Sequence, residues 1–197
     1  MKKFVCIVLI LLLAGCEKIS LPRADTTKSV YETFSEMQSY SARIKVFTYS
    51  NTNENAYEVT QYYAYPEKYR SECGGSVTVI NKDKASVQYD AKSDKEIFDK
   101  ISDESNFMYL NSFFDKYYRD EKANVKSSSK NDKLITLSVD TGLENKYKSR
   151  AELILNTQDM KPISLKITDG KGKTYMKIEY ISFKINPELD LKLFAVN

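Results

Sequence analysis

The 197-residue chain contains no histidine. That absence removes the commonest general acid–base side chain, the Ser-His-Asp and Cys-His nucleophile arrangements, and the usual histidine-ligated zinc sites. Carboxylates remain as a route to chemistry. The nearest acidic groupings, Asp103-Glu104 and Asp94 with Glu96, match no calcium-loop spacing and sit beside lysines, as a solvated surface does. A carboxylate glycosidase would need two acids about 5 to 10 Å apart across one groove, and no spacing here supplies them. The sequence therefore predicts no catalytic residue, no metal site and no cofactor, and a protein that is not an enzyme.

Cysteine is scarce, with only Cys6, Cys16 and Cys73. Long hydrophobic runs are scarce too. The main one, Phe4 to Leu13, is about half of the roughly 20 residues a spanning helix needs. Lys2 and Lys3 precede it, and Leu13-Ala14-Gly15-Cys16 follows, which is the layout of a secretory signal ending at a lipid-attachment site. Residues 1–15 are thus expected to be a lipoprotein signal peptide, with Cys16 acylated by chains such as palmitate. Two or more chains hold a protein stably to a bilayer where one is marginal. Residues 16–26 read as the lipidated cysteine and a polar tether broken by Pro22, reaching at most about 35 Å. The protein would lie on the outer side of a membrane after secretion.

With Cys6 removed and Cys16 acylated, Cys73 has no intramolecular partner, so the fold must rest on its core. Cys73 itself is a reactive thiol, one end of an intermolecular bridge, or simply a small, half-buried residue before the Gly74-Gly75 turn. Arginine is scarce as well, at Arg23, Arg43, Arg70, Arg119 and Arg150. The formal net charge of +3 falls by two when Lys2 and Lys3 leave, and the remaining charges are mixed in sign. No clustered basic face predicts nucleic-acid binding.

What remains is about 170 residues, 27–197, which make one domain. Val30, Phe34 and Met37 fall at i, i+4, i+7 and predict a helix ending near Ser39, N-capped by Thr26 or Thr27. The period then becomes two. Ala42, Ile44 and Val46 alternate with charged residues, the polar run Ser50 to Asn55 turns the chain, and Tyr57 to Tyr65 form a second strand. Short strands follow near 69–73, 76–80 and 85–89, separated by turn residues that favour antiparallel hairpins.

Phe107, Leu110, Phe113, Phe114 and Tyr117 mark the apolar stripe of a helix over about 104–120. Alternation resumes at Ile135, Leu137, Val139; at Ala151, Leu153, Leu155; and at Ile163, Leu165, Ile167. In the last strand Met176, Ile178 and Tyr180 lie on one phase and Ile181, Phe183 and Ile185 on the other. A bulge near Tyr180-Ile181 would turn both sets inward. The fold class is α+β: about nine antiparallel strands in a strongly curved, open half-barrel sheet covered by two helices.

Gly172-Lys173-Thr174 resembles the end of a phosphate-binding loop, but the position five residues earlier is Ile167 and a strand follows, so Asp169 to Gly172 is a hairpin turn. The fifteen tyrosines are unusual. Tyr57, Tyr63 and Tyr65 share one phase of their strand and Tyr62 the other. These four are the candidate partner-binding residues, since tyrosine offers a large contact area with a polar tip. The same rings equally suit the filling of a curved sheet.

Pro162, Asp169 with Gly172, Asn186 and Phe194 match the C-terminal pattern of the LolA/LolB-type lipoprotein-sorting fold, and the order helix, meander, inserted helix, meander is similar to that fold. In more detail, Tyr62 to Arg70, Asn106 to Phe114 and Tyr175 to Phe194 resemble the GerS-type clostridial spore germination lipoproteins. That resemblance implies a non-catalytic lipoprotein, facing the cortex of the developing spore, that binds and activates the spore-cortex N-acetylmuramoyl-L-alanine amidase CwlD, as cortex modification and germination require. The fold alone suggests an alternative, a lipid or lipoprotein carrier using the concave face of the sheet. A carrier needs an accessible apolar cavity and its membrane-inserting version an exposed apolar loop, and the turns at 50–55, 81–84 and 169–173 are all polar. Unpaired sheet edges leave homodimerisation open.

Overall fold

The computed structural model describes residues 24–50, 52–99, 108–120, 123–127, 133–142 and 148–196. The expected signal peptide, Cys16, Asp103-Glu104 and Phe107 lie outside them. Helix α1 (Ala24–Ser35) leads into β1 (Ser39–Tyr49), β2 (Glu54–Ala64), β3 (Lys68–Cys73), β4 (Ser76–Asn81), β5 (Lys84–Gln88) and β6 (Glu96–Phe98). Helix α2 (Leu110–Arg119) precedes β7 (Asn124–Ser127), β8 (Leu134–Asp140), β9 (Arg150–Asn156), β10 (Pro162–Thr168) and β11 (Thr174–Ile185), and a 3-10 helix (Leu191–Phe194) follows.

The strands form one 11-stranded sheet in the order β6-β5-β4-β3-β2-β1-β11-β10-β9-β8-β7, with every pairing antiparallel. The first and last strands are neighbours at its centre. Two meanders run outward from them, and the segment containing α2 joins the two outer edges. The sheet exceeds the expected nine strands by β6 and β7. Both are short edge strands without an alternating apolar signal, and only pairing to a neighbour defines them.

The inner face forms one core. Tyr40, Ala42, Ile44 and Val46 of β1 join Leu153, Leu155, Leu165, Ile167 and Ile178 from the second meander, with Val30 and Phe34 of α1 and Leu110, Phe113 and Phe114 of α2. Burying an aliphatic side chain of this size contributes about 1.5–3 kcal/mol. The outer face carries a second, smaller cluster in which Phe194 of the 3-10 helix packs with Ala64, Val79 and Tyr62. Arg70 Nη1 donates to Leu193 O at 3.1 Å and Asn81 Nδ2 to Phe194 O at 3.2 Å, fastening the tail there.

Several local expectations need correction. Helix α1 stops at Ser35, and Met37 is buried just beyond it in the turn to β1. The helix begins at Ala24, so Thr26 and Thr27 lie within its first turns and do not cap it. Ile163 is exposed because the β9–β10 register shifts between Pro162 and Ser164, turning Pro162 inward in its place. The expected bulge is present: Arg43 pairs with Ser182 and Ile44 with Tyr180, leaving Ile181 as the extra residue. Phe183 is thereby returned to the core, but Ile181 points outward, since a bulged residue has no partner to face.

Candidate partner-binding groove

Helix α2 starts without a side-chain cap at Tyr109. Its unpaired backbone groups are met instead by the sheet. The Leu110 N–H donates to the Tyr40 hydroxyl at 3.2 Å, and Gln61 Nε2 donates to Met108 O at 3.1 Å. Asn111 Nδ2 donates to the Tyr69 hydroxyl at 2.7 Å. Tyr40 and Gln61 are fully buried, so each of these bonds satisfies a group that would otherwise cost about 1–3 kcal/mol. Burial pushes the Tyr109 phenol up to about 12 against the opposing pull of its hydrogen bond with Ser71, and burial likewise raises Tyr40 and Tyr69. These phenols are neutral hydrogen-bonding groups at physiological pH.

With α2 held in this way, a groove of about 370 Å³ opens between the two helices and the β2–β3 turn. Tyr31, Phe34 and Ser35 of α1 form one wall; Asn111, Phe114, Asp115, Tyr118 and Arg119 of α2 form the other. The buried Tyr63 and Met37, with Tyr65, Pro66 and Glu67 of the turn, complete the lining. The walls meet through Phe34 stacked on Phe114, ring centroids 4.0 Å apart, and through Tyr31 set edge-on to Tyr118 at 5.2 Å. On α2 the residues 111, 115 and 118 follow i, i+4, i+7, a polar stripe beside the apolar one.

The turn is pinned on both sides. Tyr65 N donates to Gln38 O at 2.8 Å, and Lys82 N donates to Glu67 O at 3.1 Å. Gln38 and Ser39 N–H groups in turn donate to Asn186 Oδ1 at 2.8 and 3.1 Å. Glu67 occupies the left-handed region at φ 53, a conformation that costs a side-chain-bearing residue about 1–2 kcal/mol. The hydrogen bonds around it hold it there.

Asp115 stands at the groove mouth, and loss of solvation raises its carboxyl above the usual range; Arg119 pulls the other way and Glu67 adds to the rise. Burial also raises Tyr63 and Tyr118. Asn111 is 6% exposed, its Nδ2 is used by Tyr69, and its Oδ1 is buried with no hydrogen-bond partner. Among the described residues no three acidic or cysteine side chains come close enough together to hold a metal ion.

The four tyrosines singled out by sequence separate. Tyr63 and Tyr65 line the groove; Tyr57 lies six residues earlier on β2, and Tyr62 faces the opposite side, against the Phe194 cluster. Cys73 is half-buried and packs against the main core. Asp94 and Glu96 are exposed. Asp169 closes the β10–β11 hairpin, its Oδ1 accepting from Lys171 N and Lys173 N, with Gly172 at φ 85. The residues missed by sequence were Tyr31, Asn111, Asp115 and Tyr118. The stripe 111, 115, 118 was the available signal.

A family described as "Sporulation protein YdcC-like" matches residues 1–194. No curated protein gives a significant match. Among solved structures, an uncharacterized conserved protein from Thermus thermophilus aligns over 86% of this chain and 90% of its own at 12% identity, TM-score 0.53. The complex of the CwlD amidase from Clostridioides difficile with the GerS lipoprotein contains a chain that aligns over 88% of this one and 99% of its own at 19% identity, TM-score 0.50. A LolA superfamily protein from Nitrosomonas europaea aligns over 85% and 96% at 11% identity, TM-score 0.43.

Proposed function

The chain belongs to the YdcC-like sporulation protein family, and from that premise we propose that it is a membrane-anchored, non-catalytic lipoprotein that binds and activates a spore-cortex N-acetylmuramoyl-L-alanine amidase of the CwlD type. The observation that carries this reading is the likeness of the fold, over nearly the whole of both chains, to a structure that holds a lipoprotein together with its amidase. A chain without histidine suits the division of labour, because a zinc amidase supplies its own ligands. Acylation at Cys16 would hold the domain on the outer side of the membrane, facing the cortex of the developing spore.

The test is co-purification from sporulating cells. The full-length chain is expected to bring down the amidase, and the amidase is expected to hydrolyse cortex peptidoglycan faster with the chain than without it. The chain alone is expected to leave peptidoglycan unchanged. Failure to capture the amidase would remove this reading. A carrier, in which the concave face of a strongly curved sheet holds an acyl chain, is the competing outcome, and native mass spectrometry showing co-purifying lipid would favour it. The groove lining speaks against it: Asp115, Glu67 and Arg119 would each lose solvation to an acyl chain with nothing returned.

A further inference from the structure

We infer that the groove between α1, α2 and the β2–β3 turn is a receptor for one basic side chain, a guanidinium in preference to an ammonium, presented by the protein partner. The inference rests on the proposed binding role and assigns that role a place on the molecule. Three observations on different atoms converge on it. The charged residues lining the groove are Glu67, Asp115 and Arg119, so one negative charge is uncompensated. Asn111 Oδ1, buried in the α2 wall, is an acceptor without a donor. Tyr31, Tyr65 and Tyr118, respectively 58%, 62% and 37% exposed, line the groove and supply aromatic surface on which a cation is favoured.

Each competing ligand leaves one of these observations unmet. An anionic group would meet two carboxylates. An acyl chain would strand the Asp115 carboxylate and leave the Asn111 oxygen without a donor. A neutral aromatic side chain would leave the charge uncompensated. A guanidinium satisfies all three, because it stacks flat on an aromatic ring while its five N–H donors reach acceptors in its plane. Desolvation raises the Asp115 carboxyl above its usual range, so its charged form gains from a cation delivered beside it. Arg119 does not play that part, since its pull on Asp115 is outweighed by desolvation.

The experiment titrates the full-length chain with Nα-acetyl-argininamide, followed by NMR at the side-chain amide of Asn111, with neutral Nα-acetyl-norleucinamide as the comparison. Saturable binding of the arginine probe is expected, with the norleucine probe at least tenfold weaker. Asp115→Asn should weaken the arginine probe at least fivefold, Tyr65→Ala on the exposed rim should weaken it to a lesser degree, and Asp94→Asn, outside the groove, should leave it unchanged. Equal or tighter binding of the norleucine probe, no saturable arginine binding, or indifference to Asp115→Asn would each overturn the inference. The amidase is absent from this titration, so the two readings fail separately. A chain that binds the probe but captures no amidase keeps the groove and loses the partner. Amidase capture that is equal for Asp115→Asn and the unmodified chain keeps the partner and loses the groove.

Discussion

Strands β8 to β11 turn Ile135, Leu137, Val139, Leu153, Leu155, Leu165, Ile167 and Ile178 to the core, all aliphatic and none more than 2% exposed. Strands β1 to β3, on the other side of the same sheet, turn Tyr40, Gln61, Tyr63 and Tyr69 to it beside the aliphatic Ala42, Ile44, Val46 and Val59. The first set packs without direction, through area removed from water. The second adds rings that also carry hydrogen bonds: Tyr40, Tyr63 and Tyr69, joined by Phe183 of β11 and by Tyr109 before α2, form a chain of aromatic contacts with centroids 4.6 to 5.6 Å apart, and three of its members bond to polar groups nearby. One half supplies stability. The other supplies position, because a hydroxyl can fix the start of α2 where a methyl group can only accept contact. The groove lies on the half that positions.

The two halves should therefore respond differently to substitution. The largest loss is expected where α2 enters the core itself: Phe113→Ala, at a fully buried site, should cost about 3–5 kcal/mol by urea unfolding. Tyr40→Phe, which keeps the ring but removes the acceptor of the Leu110 N–H, should cost about 1–3 kcal/mol and increase hydrogen exchange at Leu110. Leu153→Met, volume-conserving and among aliphatic neighbours, should cost less than about 1.5 kcal/mol. A Tyr40→Phe protein as stable as Leu153→Met would erase the distinction between positioning and packing.

The smallest effect has the opposite sign. The Asp115 carboxyl sits above its usual value of 3.8 in the folded chain, so the folded state holds that proton more tightly than the unfolded one. Its charge therefore costs stability once the pH is above both values, and that cost disappears as the pH falls below the unfolded value. Asp115→Asn should melt slightly higher than the unmodified chain at pH 7, with the advantage lost toward pH 3, as differential scanning calorimetry would show. A residue that costs stability where it stands, and whose removal weakens the arginine probe, would separate the needs of the groove from those of the fold.

Most of the sheet was legible because alternation is a local property. Ala42, Ile44 and Val46, or Leu153 and Leu155, declare their faces from two-residue periodicity, and the parity change around Tyr180 foretold the bulge opposite Arg43 and Ile44. Ile163 and Ile181 misled for a related reason: a register shift reverses facing without leaving a mark in the residue itself. Of the groove, Tyr63 and Tyr65 drew attention as tyrosines. Asn111 and Asp115 did not, since on an isolated helix they read as its solvated side.

By itself the sequence determined a chain without histidine chemistry, hairpins at Asn81 to Lys84 and Asp169 to Lys173, and the inward phase of most strands. Each of these is settled by residues within a few positions of one another. Only the tertiary structure decided that β1 pairs with β11, that β6 and β7 close the edges, and that Tyr31, Tyr63, Asn111 and Asp115 share one groove. Tyr31 and Asp115 lie far apart along the chain, and periodicity carries no information across that distance. They meet because burying the apolar stripes of both helices in one core leaves the adjacent stripes facing each other.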